Sequence, residues 1–434
     1  MKRTLILAGL MLAMVAKAQV DPTVMTRINK QAQEIEPRMI EWRRFLHQNP
    51  ELSNREFKTG KYLADFLKNL GMEVQYPVAK TGAVGILRGG KPGPVIALRA
   101  DIDGLPVVER NALPFASREK GVQGGIETGV MHACGHDSHM AMLMAVAEIL
   151  SKNKADVKGT IKFLFQPAEE GAPAGEEAGA YLMIKEGVLE NPKVDVVFGL
   201  HIQSLLPLGQ LAYRAEGLMA AVDGFNIKVT GVGAHGATPW DSVDPIVVSS
   251  QIVNGLQTIV SRQTELTKAP AVITVGSLHG GVRRNIIPEE VNMEGTIRTF
   301  DPAMQKLVHE KIKHTASAIA EASGAKAETD ILVMYPVTYN DPALTSLMAP
   351  SLAKVSPTVV TQPVTMAEDF SFFQQKVPGF FFFLGAYPED MKLTRRPVHH
   401  TADFMIDERA FVTGVKALLT LTMDYAYQPK SGKK

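Results

Sequence analysis

The sequence predicts an α/β protein: a mostly parallel mixed sheet with helices on both faces, interrupted by a smaller α+β unit of ferredoxin-like order. Three observations predict it. Apolar strand-like runs alternate with helical ones between residues 94 and 201, the mark of a parallel sheet covered on both sides. Near Gly217 the order changes to strand, helix, strand, strand, helix, strand, that of a split βαβ unit. After Pro336 the chain returns to the first sheet, with Phe380–Phe383 and Leu384 as a buried strand.

The elements follow in order. Residues 27–48 have the pattern of one amphipathic helix ending near Asn49-Pro50, and Glu56–Leu70 that of a second, stopped by Gly71. Pro94–Arg99 is a short apolar strand that leads Asp101 and Asp103 into a loop. His139–Leu150 is apolar nearly all round and predicts a buried helix. Thr160–Phe165 is a strand followed by Gln166-Pro167-Ala168-Glu169-Glu170-Gly171, and Val194–Leu200 is another followed by His201. Sites in such sheets lie beyond the carboxyl ends of strands, where each of these polar groups stands. The smaller unit comprises strand Asp223–Thr230, a glycine-rich turn with His235, helix Pro245–Arg262, strands Ala271–Ser277 and Val291–Phe300, helix Ala303–Ala322 and strand Lys326–Tyr335. The expected division is a discontinuous domain, 27–214 and 336–428, around an inserted one, 215–335. Hinges are expected near Arg214–Gly217 and Tyr335–Asn340. The four phenylalanines are most simply core packing.

A chain of 434 residues is too long for one compact core. Its formal charge of +1, without a basic patch, gives no reason to expect nucleic acid. Lys2 and Arg3, the apolar run Leu5–Val15 and Ala16-Lys17-Ala18 make a signal peptide, residues 1–18. The run is too short to span a bilayer, so the mature chain is expected to be exported, periplasmic or secreted, without stable membrane insertion. The single cysteine excludes an internal disulfide.

That cysteine lies in Met131-His132-Ala133-Cys134-Gly135-His136-Asp137. A thiolate and an imidazole this close suit a borderline-soft divalent ion. The adjacent carboxylates Glu169 and Glu170 follow a strand and a proline. An irregular turn can aim both at one site, one as ligand and one as proton acceptor; a solvated acidic loop is the other reading, since Glu176-Glu177 lie just downstream. His201 is either a ligand or a satisfied core histidine, and His399-His400 lie in a polar turn. Cys134, His136, Glu170, His201 and one of the late histidines offer five ligands, enough for two ions. A thiol hydrolase using Cys134 with a histidine base is a competing class.

At this point the chain resembles the M20-type metallopeptidases, specifically the amidohydrolase branch with hippurate hydrolases and auxin–amino acid conjugate hydrolases. The resemblance spans roughly residues 30–425. It rests on Leu98–Pro106, Met131–Asp137, Phe165–Gly171, Gly199-Leu200-His201, Gly233–Ala237, Asn285–Pro288, Gly295–Thr299, Glu368–Ser371, and His400 four residues before Phe404. It implies a zinc-peptidase-like catalytic domain and two divalent ions: Zn or Mn, with Co or Ni as further candidates. The implied ligands are Cys134, His136, Glu170, His201 and His400, the phenylalanine spacing favouring His400 over His399. It implies Glu169 as general base, Asp103 as a support of the metal site, and Asp101 outside the ligand set. It raises His235 from a turn histidine to an oxyanion donor. Asn285 and Arg298 become candidate clamps for a substrate carboxylate, with a surface ion pair the other reading of Arg298. The implied reaction is hydrolysis of the amide of an N-acyl amino acid. A dipeptide or an N-acetyl amino acid is the alternative substrate. A catalytically inactive metal- or solute-binding relative is a further alternative, but all six base and ligand positions are filled. The family also suggests a homodimer through the inserted domain, in some members with the histidine passed to the neighbour's site.

Overall fold

The computed structural model describes residues 20–390 and 396–428; the expected signal peptide lies outside them. Among the described residues no helix is long and apolar enough to cross a membrane.

The larger sheet has eight strands. From edge to edge they are Glu73–Val78, Gly82–Arg88, Lys158–Gln166, Lys91–Asp101, Val196–Gln203, Gly379–Gly385, Leu211–Tyr213 and Thr358–Val360. The middle four run parallel, and the next strand on each side, Gly82–Arg88 and Leu211–Tyr213, runs antiparallel to them. Parallel central strands are covered on both faces. The phenylalanine strand shows this directly. Phe380 and Phe382 join the apolar cluster that includes the helices His136–Lys152 and Phe411–Ala426. Phe381 and Phe383 point to the other face, packing with Phe370 and Phe373. In the helix His136–Lys152 every residue from His136 to Leu150 is buried, as its all-round apolarity predicts.

The smaller sheet has the order Ala271–Gly280, Glu290–Thr299, Ala221–Thr230, Lys326–Tyr335, antiparallel throughout. Second, third, first, fourth is the split βαβ order. Helices Pro245–Gln263 and Pro302–Ala322 cover one face, where Ile252, Leu256 and Ile312 meet Phe225, Ile227 and Ile297. The two chain crossings between the sheets pair with each other, Glu216–Met219 against Thr338–Asn340, where the hinges are expected. Asn340 locks this pair. Its buried amide donates to the carbonyls of Arg214 and Phe381, each at 2.8 Å, and accepts from Phe381 N–H at 2.7 Å.

Some sequence expectations need correction. The helix expected over 27–48 is two helices, Pro22–Glu34 and Glu36–Gln48. Pro37 has no N–H to give the preceding turn, so the chain bends at Ile35. His201 lies inside its strand, paired with Phe383, because the neighbouring strand extends the ladder to Gln203. The edge strand Glu73–Val78, its neighbour Gly82–Arg88 and the helices Pro342–Ala353 and Phe411–Ala426 were not anticipated.

Candidate metal centre and active site

The centre forms where three parallel strands end. After Cys134 the chain turns into a helix through Gly135, at φ +96°. A Cβ there would fall 2.5 Å from Ile202 Cγ2, so glycine is required for the close approach. The strand Lys158–Gln166 ends in Pro167 and then Ala168, which has φ +53°. This bend turns both following carboxylates to one side: Glu169 Oε2 and Glu170 Oε1 each lie 3.9 Å from His136 Nε2. Both glutamates therefore face one site rather than forming a solvated acidic loop.

Cys134 Sγ lies 3.3 Å from His201 Nε2 and 3.2 Å from His400 Nε2, which is itself 3.1 Å from Glu170 Oε1. Two donor triads result, Cys134/His136/His201 and Cys134/Glu170/His400, with the thiol common to both. Donors at zinc-ligand distances around one tetrahedral ion stand roughly 3.3–3.7 Å apart, close to the spacings seen here. The buried His136 Nε2 has no hydrogen-bond partner, as expected of a group reserved for a cation. One thiol, three imidazoles and a carboxylate fit borderline divalent ions. The opposite nitrogens are anchored, fixing which one faces the centre. His136 Nδ1 is 2.9 Å from the Asp103 carbonyl and 3.2 Å from its Oδ1, and His201 Nδ1 is 2.6 Å from the Ile202 carbonyl.

His400, rather than His399, reaches the centre. His399 packs its ring 4.7 Å from Phe404 and 5.3 Å from His201, and its Nε2 accepts from Ser204 N–H. The phenylalanine four residues after His400 thus holds its neighbour out of the site. The His400 side chain is 52% exposed, so the centre opens to solvent on that side.

Electrostatics agree with a cation site. Burial and then Glu170, Glu169 and Asp101 push the Cys134 thiol well above its ordinary range. A thiol nucleophile needs the opposite, so the thiol-hydrolase reading finds no support. Burial, with His139 and His399, keeps His201 neutral. Burial alone would lower His136, but Asp101, Asp103 and Glu170 outweigh it and raise it to about 10. Burial, reinforced by Glu368, Glu170 and Asp369 and partly offset by Arg99, lifts Glu169 well above the usual carboxylate range.

A buried support went unnoticed in the sequence. Arg99 sets its guanidinium 2.8 Å from each of Asp101, Glu368 and Asp369, and its Nε donates to Gln166. Asp101 also binds His139 Nδ1 at 2.6 Å, and His139 Nε2 accepts from Ile202 N–H. Asp101 lies 3.6 Å from His136 Nε2, but with Arg99 and His139 engaging its oxygens it is a support rather than a first choice of ligand. On the other side, Asp137 is buried between Arg43 Nε and His47 Nδ1, each at 2.8 Å. The available signal was charge inside an apolar run, as in Leu98-Arg99-Ala100-Asp101.

The candidates from the smaller unit are not brought to the metal ligands within one chain. His235 is exposed in a two-residue strand paired with Ile286-Ile287, and its Nδ1 accepts only from Ala237 N–H. Asn285 stands beside it, its carbonyl accepting from Gly236 N–H. Arg298 is half-buried on the strand Glu290–Thr299 and donates to the Ile297 carbonyl.

The sequence pattern of peptidase family M20/M25/M40 matches residues 97–424. The chain belongs to this family. A relative, thermostable carboxypeptidase 2 of Saccharolobus solfataricus, is 41% identical over 402 residues, covering 92% of this chain and 98% of its own. The N-acetyl-L-cysteine deacetylase of Bacillus subtilis is 39% identical over 379 residues, covering 87% of this chain and 86% of its own. The crystal structure of Bacillus subtilis YXEP, a dinuclear metal-binding M20 peptidase, superposes with a TM-score of 0.77 at 34% identity, covering 92% of this chain and all of that one. The M20 chain described here is a metal-dependent hydrolase, and its donor cluster suits divalent ions.

Proposed function

We propose that this M20 hydrolase is an exported homodimer that cleaves the amide bond of N-acyl amino acids with two divalent ions. The observation that carries the reading is the placement of Glu169 beside His136 and two donor triads that share Cys134. Divalent ions held there would polarise the scissile carbonyl and lower the pKa of water. The chain supplies the remainder. Glu169 takes the proton of the attacking water and returns it to the leaving nitrogen. A carboxyl raised by burial and by neighbouring carboxylates, and lowered by a dication, is suited to exchange a proton near neutral pH. Asp103 holds His136 by its Nδ1. His235 of a second copy would donate to the developing oxyanion, and Asn285 and Arg298 would take the free carboxylate of the substrate. Support for the dimer comes from the exposure of His235 and Asn285 and of the large apolar side chains Trp240, Val247 and Val282 in the same smaller unit. Relatives that act as a deacetylase and as a carboxypeptidase support amide cleavage beside a free carboxylate; the same site on a dipeptide is the second reading, favoured by the carboxypeptidase.

The test is hydrolysis of N-benzoyl-glycine, N-acetyl amino acids, indole-acetyl amino acids and simple dipeptides. N-acyl amino acids are expected to turn over and dipeptides to lag; faster dipeptide cleavage would transfer the assignment to a dipeptidase. The secreted preparation is expected to begin at Gln19 and to sediment as a dimer. An intact Met1 or a monomer that turns over at full rate would remove export or dimerisation from the reading.

A further inference from the structure

The turn bearing Glu169 and Glu170 is gripped by its backbone from three sides. Ala168 has φ +53°, a left-handed conformation that a residue with a Cβ adopts only where its surroundings impose it. Its N–H donates to Glu56 Oε1 at 2.8 Å. The next carbonyl, that of Glu169, accepts from the Tyr335 hydroxyl at 3.1 Å. The N–H of Glu170 donates to Asp103 Oδ2 at 3.0 Å. Three consecutive residues are thus held by three segments remote in sequence. Asp103 also anchors His136. Glu56 and Tyr335 touch no metal ligand side chain, and their contacts with the turn are what needs explaining.

Both are built for this contact. Glu56 is fully buried, and its second oxygen accepts from the Thr81 hydroxyl at 2.7 Å. Burial, with Asp103 nearby, pushes its carboxyl up to about 8. Tyr335 ends the edge strand of the smaller sheet. The ladder slips there, with Val222 opposite Tyr335 and Asp223 opposite Val333; such bulges re-aim a side chain. The Tyr335 ring lies 6.3 Å from that of Phe372, on the larger sheet's side.

We propose that Glu56 and Tyr335 are positioning residues, which aim the Glu169 and Glu170 carboxylates by fixing the backbone at Ala168 and Glu169. Tyr335 makes that aim depend on how the smaller sheet is seated. The inference rests on the reading of Glu169 as the base. A misplacement of about 1 Å in a reacting group costs about 10²-fold in rate, so loosening a turn one bond away is enough to be measured.

The test uses the full-length, metal-loaded protein. Tyr335→Phe removes one oxygen and keeps the ring. It is expected to lower kcat by about tenfold or more, with KM, bound metal and Tm close to the parent's. Glu56→Ala is expected to do the same, and Glu56→Gln to recover most of the rate, since it keeps an acceptor for Ala168 N–H. Parental kcat in Tyr335→Phe overturns the proposal, as does equal loss in Glu56→Ala and Glu56→Gln or a loss that merely tracks Tm. Glu169→Gln is measured alongside. If that variant keeps turnover, the base assignment has failed. If it is inactive while Tyr335→Phe and Glu56→Ala run at the parental rate, only the positioning proposal has failed.

Discussion

Replacing Glu169 by glutamine is expected to lower kcat by about 10²–10⁴-fold, the usual contribution of a positioned general base. The amide keeps the size of the side chain but cannot take a proton from water. KM should change little, because the lost interaction belongs to the transition state rather than to substrate binding. Bound metal should also be unchanged, since Glu169 belongs to neither of the triads that share Cys134. Stability gives an independent check. Glu169 is buried near Glu170, Glu368 and Asp369, which raise its pKa. A neutral side chain relieves that repulsion, so Tm should hold or rise. Steady-state kinetics, metal analysis and a melting curve on one preparation suffice. Turnover within about tenfold of the parent would be less than a general base contributes and would move the role to another group.

Removal of divalent ions is expected to abolish turnover, and restoring Zn or Mn to bring it back. The sharper version is Cys134→Ser. Cys134 Sγ lies 3.3 Å from His201 Nε2 and 3.2 Å from His400 Nε2, so one substitution weakens both triads. Loss of an outer partner of a metal ligand alone costs 10–100-fold; loss of the shared thiolate should cost more than about 100-fold in affinity, with activity lost at ordinary metal concentrations. His201→Asn touches one triad and should leave one ion bound. Titration calorimetry or metal counting after dialysis distinguishes the two variants. Two ions retained by Cys134→Ser with parental affinity would mean that the thiol is not the common ligand. Because bound ions stabilise the folded chain by mass action, chelation should also lower Tm, and excess metal should restore it for the parent but not for Cys134→Ser.

Much of the centre was legible before folding because its donors stand at the ends of apolar runs. Glu169 and Glu170 follow one such run and His201 another, while Cys134 and His136 stand at the start of the apolar helix His136–Lys152. In a parallel sheet, strand ends converge on one edge, so sequence order predicts neighbourhood. The core was legible for the same reason: Phe380–Phe383 is long enough for a strand and apolar on both faces, and it alternates between two buried clusters.

Residue type and spacing by themselves determined the α/β class, the split βαβ order of residues 215–335 and a set of candidate donors, which the family resemblance narrowed to five and the adjacent carboxylate. These depend on local periodicity and on chemistry that each side chain carries with it. Only the tertiary structure decided how those groups meet. Arg99 reaches Asp369 across 270 residues of chain, and sheet order, not periodicity, puts them together. His399 and His400 are adjacent in sequence, told apart there only by the phenylalanine spacing that the family resemblance supplies; packing of one ring against Phe404 sends the other to Cys134. The left-handed Ala168 that turns Glu169 and Glu170 to one side carries no mark in its residue type. It is imposed by Glu56, Tyr335 and Asp103, which are distant in the chain and converge only once the two sheets are in place.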